Sequence, residues 1–357
     1  MSDTAVNSAN RVQVWADSYF VEFVRDNRFK RYMGKSENSI IQLKEELTKE
    51  AGDRITISLV TRLTGSAIEG DATLEGNEEQ LGNYGHLITV EQYRNGVTIG
   101  KKEKIKTKID LLNAGKTMLK LWQMEHLRDM IIARMQSPVT DGLTAYASAT
   151  ETQKDAWETA NNPTDSNQRI LFGAAKVSST LDHSAGLLEI DGTADDLHPD
   201  TLSLCKRMAQ TCSPHIRPVR VNDDEEYFVA FAGSLAFRDL ESNMSTIHQN
   251  AAPRSMEDNP LFKPGDLVSR GVIIREVPEI PVISGVGAGS IDVSPVFFCG
   301  AQTLGLAWAQ RPEPEVDEFD YKNKRGVAIS DIRGCEKLTY NSVQHGMVTH
   351  YVSAVGD

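Results

Sequence analysis

The chain has 357 residues, with 50 acidic against 38 basic side chains and a formal net charge of −12. Proteins that hold nucleic acid by neutralising phosphates carry a basic surplus, because counterion release at Lys and Arg supplies most of their affinity, so this balance argues against a nucleic-acid-binding function. The composition, 40% apolar and 25% charged, is that of ordinary globular proteins and excludes a disordered or collagen-like chain.

Targeting, membrane and disulfide signals are weak. The four cysteines are too few for a disulfide framework and predict buried thiols in a reducing compartment. The polar first ten residues lack a basic segment followed by an apolar core, so no secretory signal is expected. No charge falls between Asp292 and Arg311, but this stretch is too polar to cross a bilayer. It predicts a buried strand followed by a buried helix.

Residues 1–55 are predicted to form an N-terminal arm with helical pieces. Apolar residues recur there at helical spacing, first at Phe20, Phe23 and Val24, and again at Ile40, Ile41, Leu43 and Leu47. From Ile55 the apolar period changes to two, which predicts a strand with one mainly buried face.

An acidic, glycine-rich segment follows. Between Gly65 and Glu91 there are six acids, five glycines and no Lys or Arg, and five lysines arrive within eight residues from Lys101. Four of those lysines alternate at period two and would share one face of a strand. Residues 56–108 therefore predict a long β-excursion with an acidic outward limb and a basic return limb. Such an excursion needs a surface to lie on, because two strands alone are marginally stable.

The strongest helical signal runs from Ile109 to Gln136 and ends before Pro138. At ~1.5 Å per residue this helix would be about 42 Å long, which suggests a structural spine. A polar stretch to residue 169 predicts a short helix near 152–159. The region 170–311 reads as α+β, with a helix at 199–211, strands at 216–222 and 227–232, and an extended run at 271–283. Alternating residues from Phe319 onward predict closing strands.

No motif predicts a catalytic residue, a cofactor or a metal. Ala114–Thr117 resembles the end of a phosphate-binding loop, but it lies inside the predicted helix, where the amides are already bonded. Gly285–Gly289 does not match a dinucleotide fingerprint and predicts a mobile loop. The eight histidines show no ligand spacing, and no nucleophile signature is present. The acidic stretches at 223–226 and 313–320 are interpreted as solvated turns and loops.

Several blocks resemble the major capsid proteins typified by the N-four-type podophages, in the same order along the chain. The resemblance covers about residues 54–354 and rests on Leu74-Glu75-Gly76-Asn77-Glu78-Glu79-Gln80-Leu81 with Val90, Gln92, Arg94 and Val97; Gly271-Val272-Ile273-Ile274 with Glu276; Gly300-Ala301-Gln302; Asp320-Tyr321 with Asn323 and Gly326; and Gly334 with Lys337.

This resemblance implies an α+β chain with the Hong Kong 97-like phage capsid fold. The expected parts are an N-terminal arm (1–55), an extended β-hairpin loop (56–108), a peripheral domain (109–169) with the spine helix 109–136, an axial domain (170–315) and a return to the peripheral domain (316–357). The lysine and asparagine that cross-link in the fold's type member have no motif match here, so covalent cross-linking is not predicted.

The implied function is a structural one, a major capsid protein that self-assembles into an icosahedral shell around the double-stranded DNA of a tailed phage. Its partners would be copies of itself in pentamers and hexamers, together with candidate portal, scaffolding and decoration proteins. The enclosed DNA would not be bound sequence-specifically, and no membrane is involved. Localisation would be the virion, after assembly in the host bacterial cytoplasm.

The oppositely charged limbs predict contacts between subunits. The candidate contact residues are Glu69, Asp71, Glu75, Glu78, Glu79, Lys101, Lys102, Lys104, Lys106 and Lys108. Reversing Lys102, Lys104 and Lys106 to Glu is expected to impair assembly without changing monomer secondary structure. Two alternatives stay open, an encapsulin-like cellular nanocompartment shell and a soluble acidic enzyme of unknown reaction.

Overall fold

The computed structural model describes residues 25, 27–48, 52–63, 65–70, 73–76, 78–107, 109–138, 144–174, 181–220, 225–250 and 266–355. Three groups of predictions lie wholly or partly outside these residues. They are the first helical piece of the arm, around Phe20, the candidate contact residues Asp71 and Lys108, and the first half of the acidic turn at 223–226.

The described chain mixes helices and strands, so the α+β prediction is confirmed. The helices are α1 Lys101–Lys106, α2 Leu111–Gln136, α3 Glu151–Asn161, α4 His183–Leu188, α5 Pro199–Thr211 and α6 Ser234–Asn250. The strands are β1 Met33–Gly34, β2 Ile41–Lys44, β3 Arg54–Val60, β4 Asn83–Thr89, β5 Glu91–Gly100, β6 Ile170–Phe172, β7 Val219–Arg220, β8 Glu226–Ala232, β9 Asp266–Ser269, β10 Val272–Glu276, β11 Val293–Cys299, β12 Leu304–Phe319, β13 Lys324–Lys337, β14 Thr339–Tyr340, β15 Val343–Gln344 and β16 Met347–Ser353.

The residues group into two compact units. The larger unit comprises Arg28–Glu91, Arg128–Gln310 and Arg333–Asp357. The smaller unit contains Gln92–Leu127 and Arg311–Ile332. The predicted domain boundaries stay a prediction.

The larger unit is built on a sheet with the strand order β6-β16-β11-β8-β10-β9, and β7 pairs with β8 at its side. Every residue of β11 and β16 is buried, as expected for central strands covered on both faces. Helix α5 begins with Pro199 at its first turn and packs Leu202, Cys205 and Met208 into the main core. This apolar spacing of three puts the three side chains on one face of the helix, and the predicted helix at 199–211 is confirmed.

Two segments that were expected to be helical are strands. Ile41–Lys44 form β2, which pairs in parallel with Leu304–Ala307 at the start of β12. Ile41, Leu304 and Leu306 are all fully buried at this pairing. Short apolar runs fit either a buried helix or a buried strand by periodicity alone, and the non-local pairing decided between them. The helical expectation was therefore wrong for Ile41–Lys44 and for the chain after Cys299, whereas Glu46–Thr48 form a short 3-10 helix.

The predicted strand from Ile55 is confirmed. Strand β3 pairs antiparallel with β4, and its side chains alternate between exposed and half-buried, as the period of two indicates. Ile88 on β4 lies in a small core with Leu338 and Tyr340. The amide of Thr89 donates to Glu336 Oε1 at 3.1 Å, so the base of the β3–β4 hairpin is anchored to β13. After β4 the chain continues as β5, and the two strands meet at Val90.

The smaller unit contains the first part of α2, most of β5, and the paired segments of β12 and β13. Leu119 packs against Val327 and Ile329 in its core, and Gln123 Nε2 donates to Asp331 Oδ2 at 3.2 Å. Helix α2 covers the predicted spine, beginning two residues later than expected at Leu111. The phosphate-loop-like residues 114–117 lie inside this helix, as predicted. The acidic stretch 313–320 is mostly exposed strand rather than a loop, because β12 continues to Phe319 beside β13.

Candidate assembly surface

The connection between β3 and β4, residues 61–82, contains the acids from Glu69 to Glu79, and we use the name acidic segment for this connection from here on. Two of its carboxylates fold back onto the backbone of the same segment. Glu79 Oε2 accepts a hydrogen bond from the Gly65 amide at 2.6 Å, and Glu78 Oε2 accepts one from the Gly76 amide at 2.7 Å. These two candidate contact residues therefore help to shape the loop itself, since a carboxylate that accepts a backbone amide stabilises a turn.

The other two described acids of the segment, Glu69 and Glu75, are exposed. Within the described part of the chain, no cation lies within ion-pair distance of either carboxylate. Three leucines of the same segment are also largely exposed, Leu63 at 60%, Leu74 at 64% and Leu81 at 61%. A segment that exposes several large apolar side chains is a candidate protein interaction surface.

The lysine run does not form a strand. Lys101–Lys106 form helix α1, whose residues are all exposed. Lys and Glu favour helix and are depleted in strands, and Lys106 Nζ pairs with Glu103 Oε1 at 2.8 Å within the helix. The expectation that alternating lysines share one strand face was therefore wrong.

Helical geometry sorts these lysines into two pairs. At 3.6 residues per turn, Lys101 and Lys104 lie on one side of α1 with Ile105, while Lys102 and Lys106 lie on another. The first pair lines a pocket of the smaller unit, and the second pair does not line that pocket.

This pocket has a volume of about 340 Å³. We refer to it as the basic pocket. It is lined by Ile99, Gly100, Lys101, Lys104, Ile105, Asp110, Leu111, Leu112, Glu318, Lys322, Asn323 and Arg325. Four of these side chains are cationic and two are carboxylates, so the lining has a net charge of 4 − 2 = +2.

The turn between β12 and β13 forms one wall of the basic pocket. Asp320, Tyr321 and Lys322 all have positive φ angles, of 54°, 51° and 67°. The Asn323 carbonyl accepts a hydrogen bond from the Lys101 amide at 2.8 Å, which joins the turn to the start of α1. Tyr321 is fully exposed. Consecutive non-glycine residues in the left-handed region are strained, and such strain concentrates where a surface has a function.

Sequence reasoning missed Lys322 and Arg325 as members of this surface. Both are far from the lysine run in the chain, and only the tertiary structure brings them to α1. In the sequence, this turn is marked only by Asp320-Tyr321 with Asn323, which belong to the family resemblance and do not indicate the charge of the surface.

The cysteine thiols of the described residues are shielded from reaction. All four cysteines are buried and free, and burial raises the pKa of Cys205, Cys299 and Cys335 to about 12, which keeps these thiols protonated. Across the described ranges, no group of three or more His, Cys, Asp or Glu side chains is arranged to hold a metal. Likewise, none of the helices described here is long and apolar enough to span a bilayer.

The described residues combine two units of helices and strands with exposed acidic and basic surfaces, which suit contacts with other protein subunits. Residues 3–354 match the family model described as phage capsid protein, and the chain belongs to that family. It is 27% identical over 368 residues to the major capsid protein of Pseudomonas phage KPP25, covering 96% of this chain and 94% of the relative.

Solved capsids have the same fold. The capsid asymmetric unit of cyanophage Pam1 matches with a TM-score of 0.90 and 38% identity, covering 100% of both chains. The capsid of Ralstonia phage GP4 matches with a TM-score of 0.73 and 21% identity, covering 99% of both chains. The predicted Hong Kong 97-like capsid fold is confirmed, while the narrower assignment to the N-four type stays a prediction.

Proposed function

We propose that this chain is the major capsid protein that self-assembles into the icosahedral shell around the double-stranded DNA of a tailed phage. The observation that carries the proposal is the match to the Pam1 capsid subunit at 38% identity over the full length of both chains. A shell requires many identical contacts, and head-to-tail contacts between copies generate rings when the rotation closes. We expect these rings to be the pentamers and hexamers of the shell.

The acidic segment and the basic face of α1 supply candidate contacts between copies. Glu69 and Glu75 are exposed on the first surface, and Lys101 and Lys104 on the second. Exposed ion pairs contribute only ~0–1 kcal/mol each, so they set the register of the contact more than its strength. This proposal gives secondary roles to the remaining candidate contact residues, which are Lys102, Lys106, Glu78, Glu79, Asp71 and Lys108.

The domain plan follows from the same proposal. Residues 1–55 would be the arm, 56–108 the extended loop, 109–169 and 316–357 the peripheral domain, and 170–315 the axial domain. The net charge of −12 favours an inner surface that encloses DNA without holding it tightly. We place assembly in the host bacterial cytoplasm, with portal, scaffolding and decoration proteins as candidate partners.

Electron microscopy of the purified chain tests this function. Closed, uniform particles are the expected result, produced either from the chain alone or together with the scaffolding protein of the same phage. Dispersed small oligomers under both conditions would contradict the proposal. The contents separate the shell alternatives, because enclosed enzyme cargo in place of DNA during infection would favour a cellular nanocompartment.

A further inference from the structure

Strand β5 contains the one Asn-Gly step of the sequence, Asn95-Gly96. Both residues are exposed. In the sheet order β1-β2-β12-β13-β5 this strand comes last, so within the described chain it pairs on one side with β13 and has a free edge on the other. Solvent therefore reaches Asn95 and the peptide bond that follows it.

The backbone amide of Gly96 lies directly beside the side-chain amide of Asn95. Gly96 N donates a hydrogen bond to Asn95 Oδ1, and the two atoms are 2.8 Å apart. Because Oδ1 is bonded to Cγ, this contact holds the Gly96 nitrogen near the carbon that it would attack in a cyclisation. Reactions within one molecule are strongly accelerated when the reacting atoms are held close together.

Packing against β13 explains why position 96 is a glycine. A Cβ at this position would lie 3.3 Å from the Val327 carbonyl oxygen and 3.4 Å from Ala328 Cβ. Added atoms in such a tight space force the neighbouring strand to move, so the contact with β13 favours glycine. The missing side chain also leaves the Gly96 nitrogen sterically open. The requirement for close packing therefore places an unhindered amide next to Asn95.

We propose that Asn95 is a site of spontaneous deamidation in the folded chain. The Gly96 nitrogen gives its proton to a solvent base and bonds to Asn95 Cγ, while the Cγ–Nδ2 bond breaks. The Nδ2 group takes up a proton and leaves as ammonia, and a five-membered succinimide ring remains. Water then opens the ring at one of its two carbonyl carbons, which gives aspartate or isoaspartate. The reaction transfers no electrons and needs only water, so the inference is independent of the proposed shell function.

Asn113 provides a comparison within the same chain. It is also exposed, but it lies on helix α2, where the next amide, Ala114 N, donates to the Asp110 carbonyl oxygen at 3.0 Å. Its side-chain Nδ2 donates to Asp110 Oδ2 at 2.6 Å. Helical hydrogen bonding therefore occupies the amide that would have to attack, and Asn113 should not deamidate under conditions in which Asn95 does.

The two products should affect β5 differently. Aspartate adds one negative charge and leaves the path of the main chain unchanged. Isoaspartate adds the same charge and also routes the main chain through Cβ, which inserts one extra atom before Gly96. Because pairing depends on register, the inserted atom should weaken the pairing of residues 97–100 with β13.

Peptide mapping by mass spectrometry tests the assignment. The folded, full-length chain is incubated at mildly alkaline pH, which favours loss of the amide proton, and circular dichroism verifies that it stays folded. The Asn95 peptide should gain about 1 Da and separate into aspartate and isoaspartate forms, while the Asn113 peptide keeps its mass. The matched variant is Asn95→Gln, which retains the amide but would have to form a six-membered ring, so its peptide should stay unmodified over the same period.

An Asn95 peptide that keeps its mass throughout the incubation overturns the inference. Deamidation of Asn113, or of the Asn95→Gln variant, at the same rate as Asn95 also overturns it, because the reaction would then not depend on the Asn-Gly geometry. Hydrogen exchange on the separated products measures the consequence for the strand. Residues 97–100 should exchange faster in the isoaspartate form than in the aspartate form, and equal rates would contradict the expected loss of pairing.

Discussion

Reversing the two lysines that line the basic pocket should weaken assembly more than reversing the two that do not. The test variant is Lys101→Glu with Lys104→Glu, and its control is Lys102→Glu with Lys106→Glu. Both variants change the net charge by the same amount and on the same six-residue helix. They differ in that Lys101 and Lys104 reach the pocket, while Lys106 is paired with Glu103.

The size of the effect follows from the exposure of these lysines. An exposed pair contributes ~0–1 kcal/mol, and charge reversal replaces attraction with repulsion of similar size, so each pocket position should cost about 1 kcal/mol. The two positions together should cost about 2 kcal/mol per contact, which is roughly a 30-fold higher concentration for half-assembly. In ~1 M salt, where the Debye length is ~3 Å, most of this difference should disappear.

Light scattering against subunit concentration measures the effect, and electron microscopy shows whether the particles are closed. Far-ultraviolet circular dichroism should be nearly unchanged, because α1 has only six residues and contributes little to the total helix signal. Equal weakening by both double variants would show that overall charge matters and that the pocket does not. An effect that persists in high salt would refute the electrostatic reasoning.

Three further predictions concern the stability of the folded chain. Gly334→Ala should destabilise the larger unit by ~1–3 kcal/mol in thermal unfolding, because the new Cβ would lie 2.1 Å from the Thr89 carbonyl oxygen. Its control is Gly115→Ala in α2, where the new Cβ would lie 3.7 Å from Val97 and the chain should be stabilised by ~0.5–1 kcal/mol. Equal effects of the two substitutions would contradict the steric argument. Burial lowers the pKa values of both His350 and His345 from 6.5 to about 4, so each should lower stability by about 3 kcal/mol as pH drops from 6.5 to 4. His350→Gln should remove its share of that slope in denaturant titrations, and an unchanged slope would contradict the assignment. Burial also lowers the pKa of Lys337 from 10.5 to about 7, so stability should rise between pH 7 and 10.5, and Lys337→Met should remove that rise; an unchanged slope would refute the assignment.

The elements predicted correctly are those whose pattern is local and strong. Helix α5 has an apolar face, a proline in its first turn and a predicted span that matches the structure. Strand β3 has the strict alternation that a half-buried strand requires. Helix α2 has a long apolar stripe and an Asp110 cap at its start. In these segments, propensity and pattern agree with the final packing, so the sequence was sufficient.

The incorrect predictions have two different physical causes. Ile41–Lys44 and Leu304–Ala307 became strands because they pair with each other, a non-local contact that neither segment reveals by periodicity. The lysine run became helix α1 because the helix propensity of Lys and Glu outweighed an alternation that no paired strand enforced.

The sequence determined the fold class, the family and the presence of two oppositely charged segments, since composition and motif order are properties of the chain. Only the tertiary structure decided which charges remain available for a partner. In the folded chain Glu78 and Glu79 accept hydrogen bonds from backbone amides, while Glu69 and Glu75 are exposed. Lys101 and Lys104 line the basic pocket, whereas Lys102 and Lys106 do not. It also brought Lys322 and Arg325 to α1 from a distant part of the chain. Charge follows from composition, but a contact requires charges held close together, and distances between distant residues are set by folding.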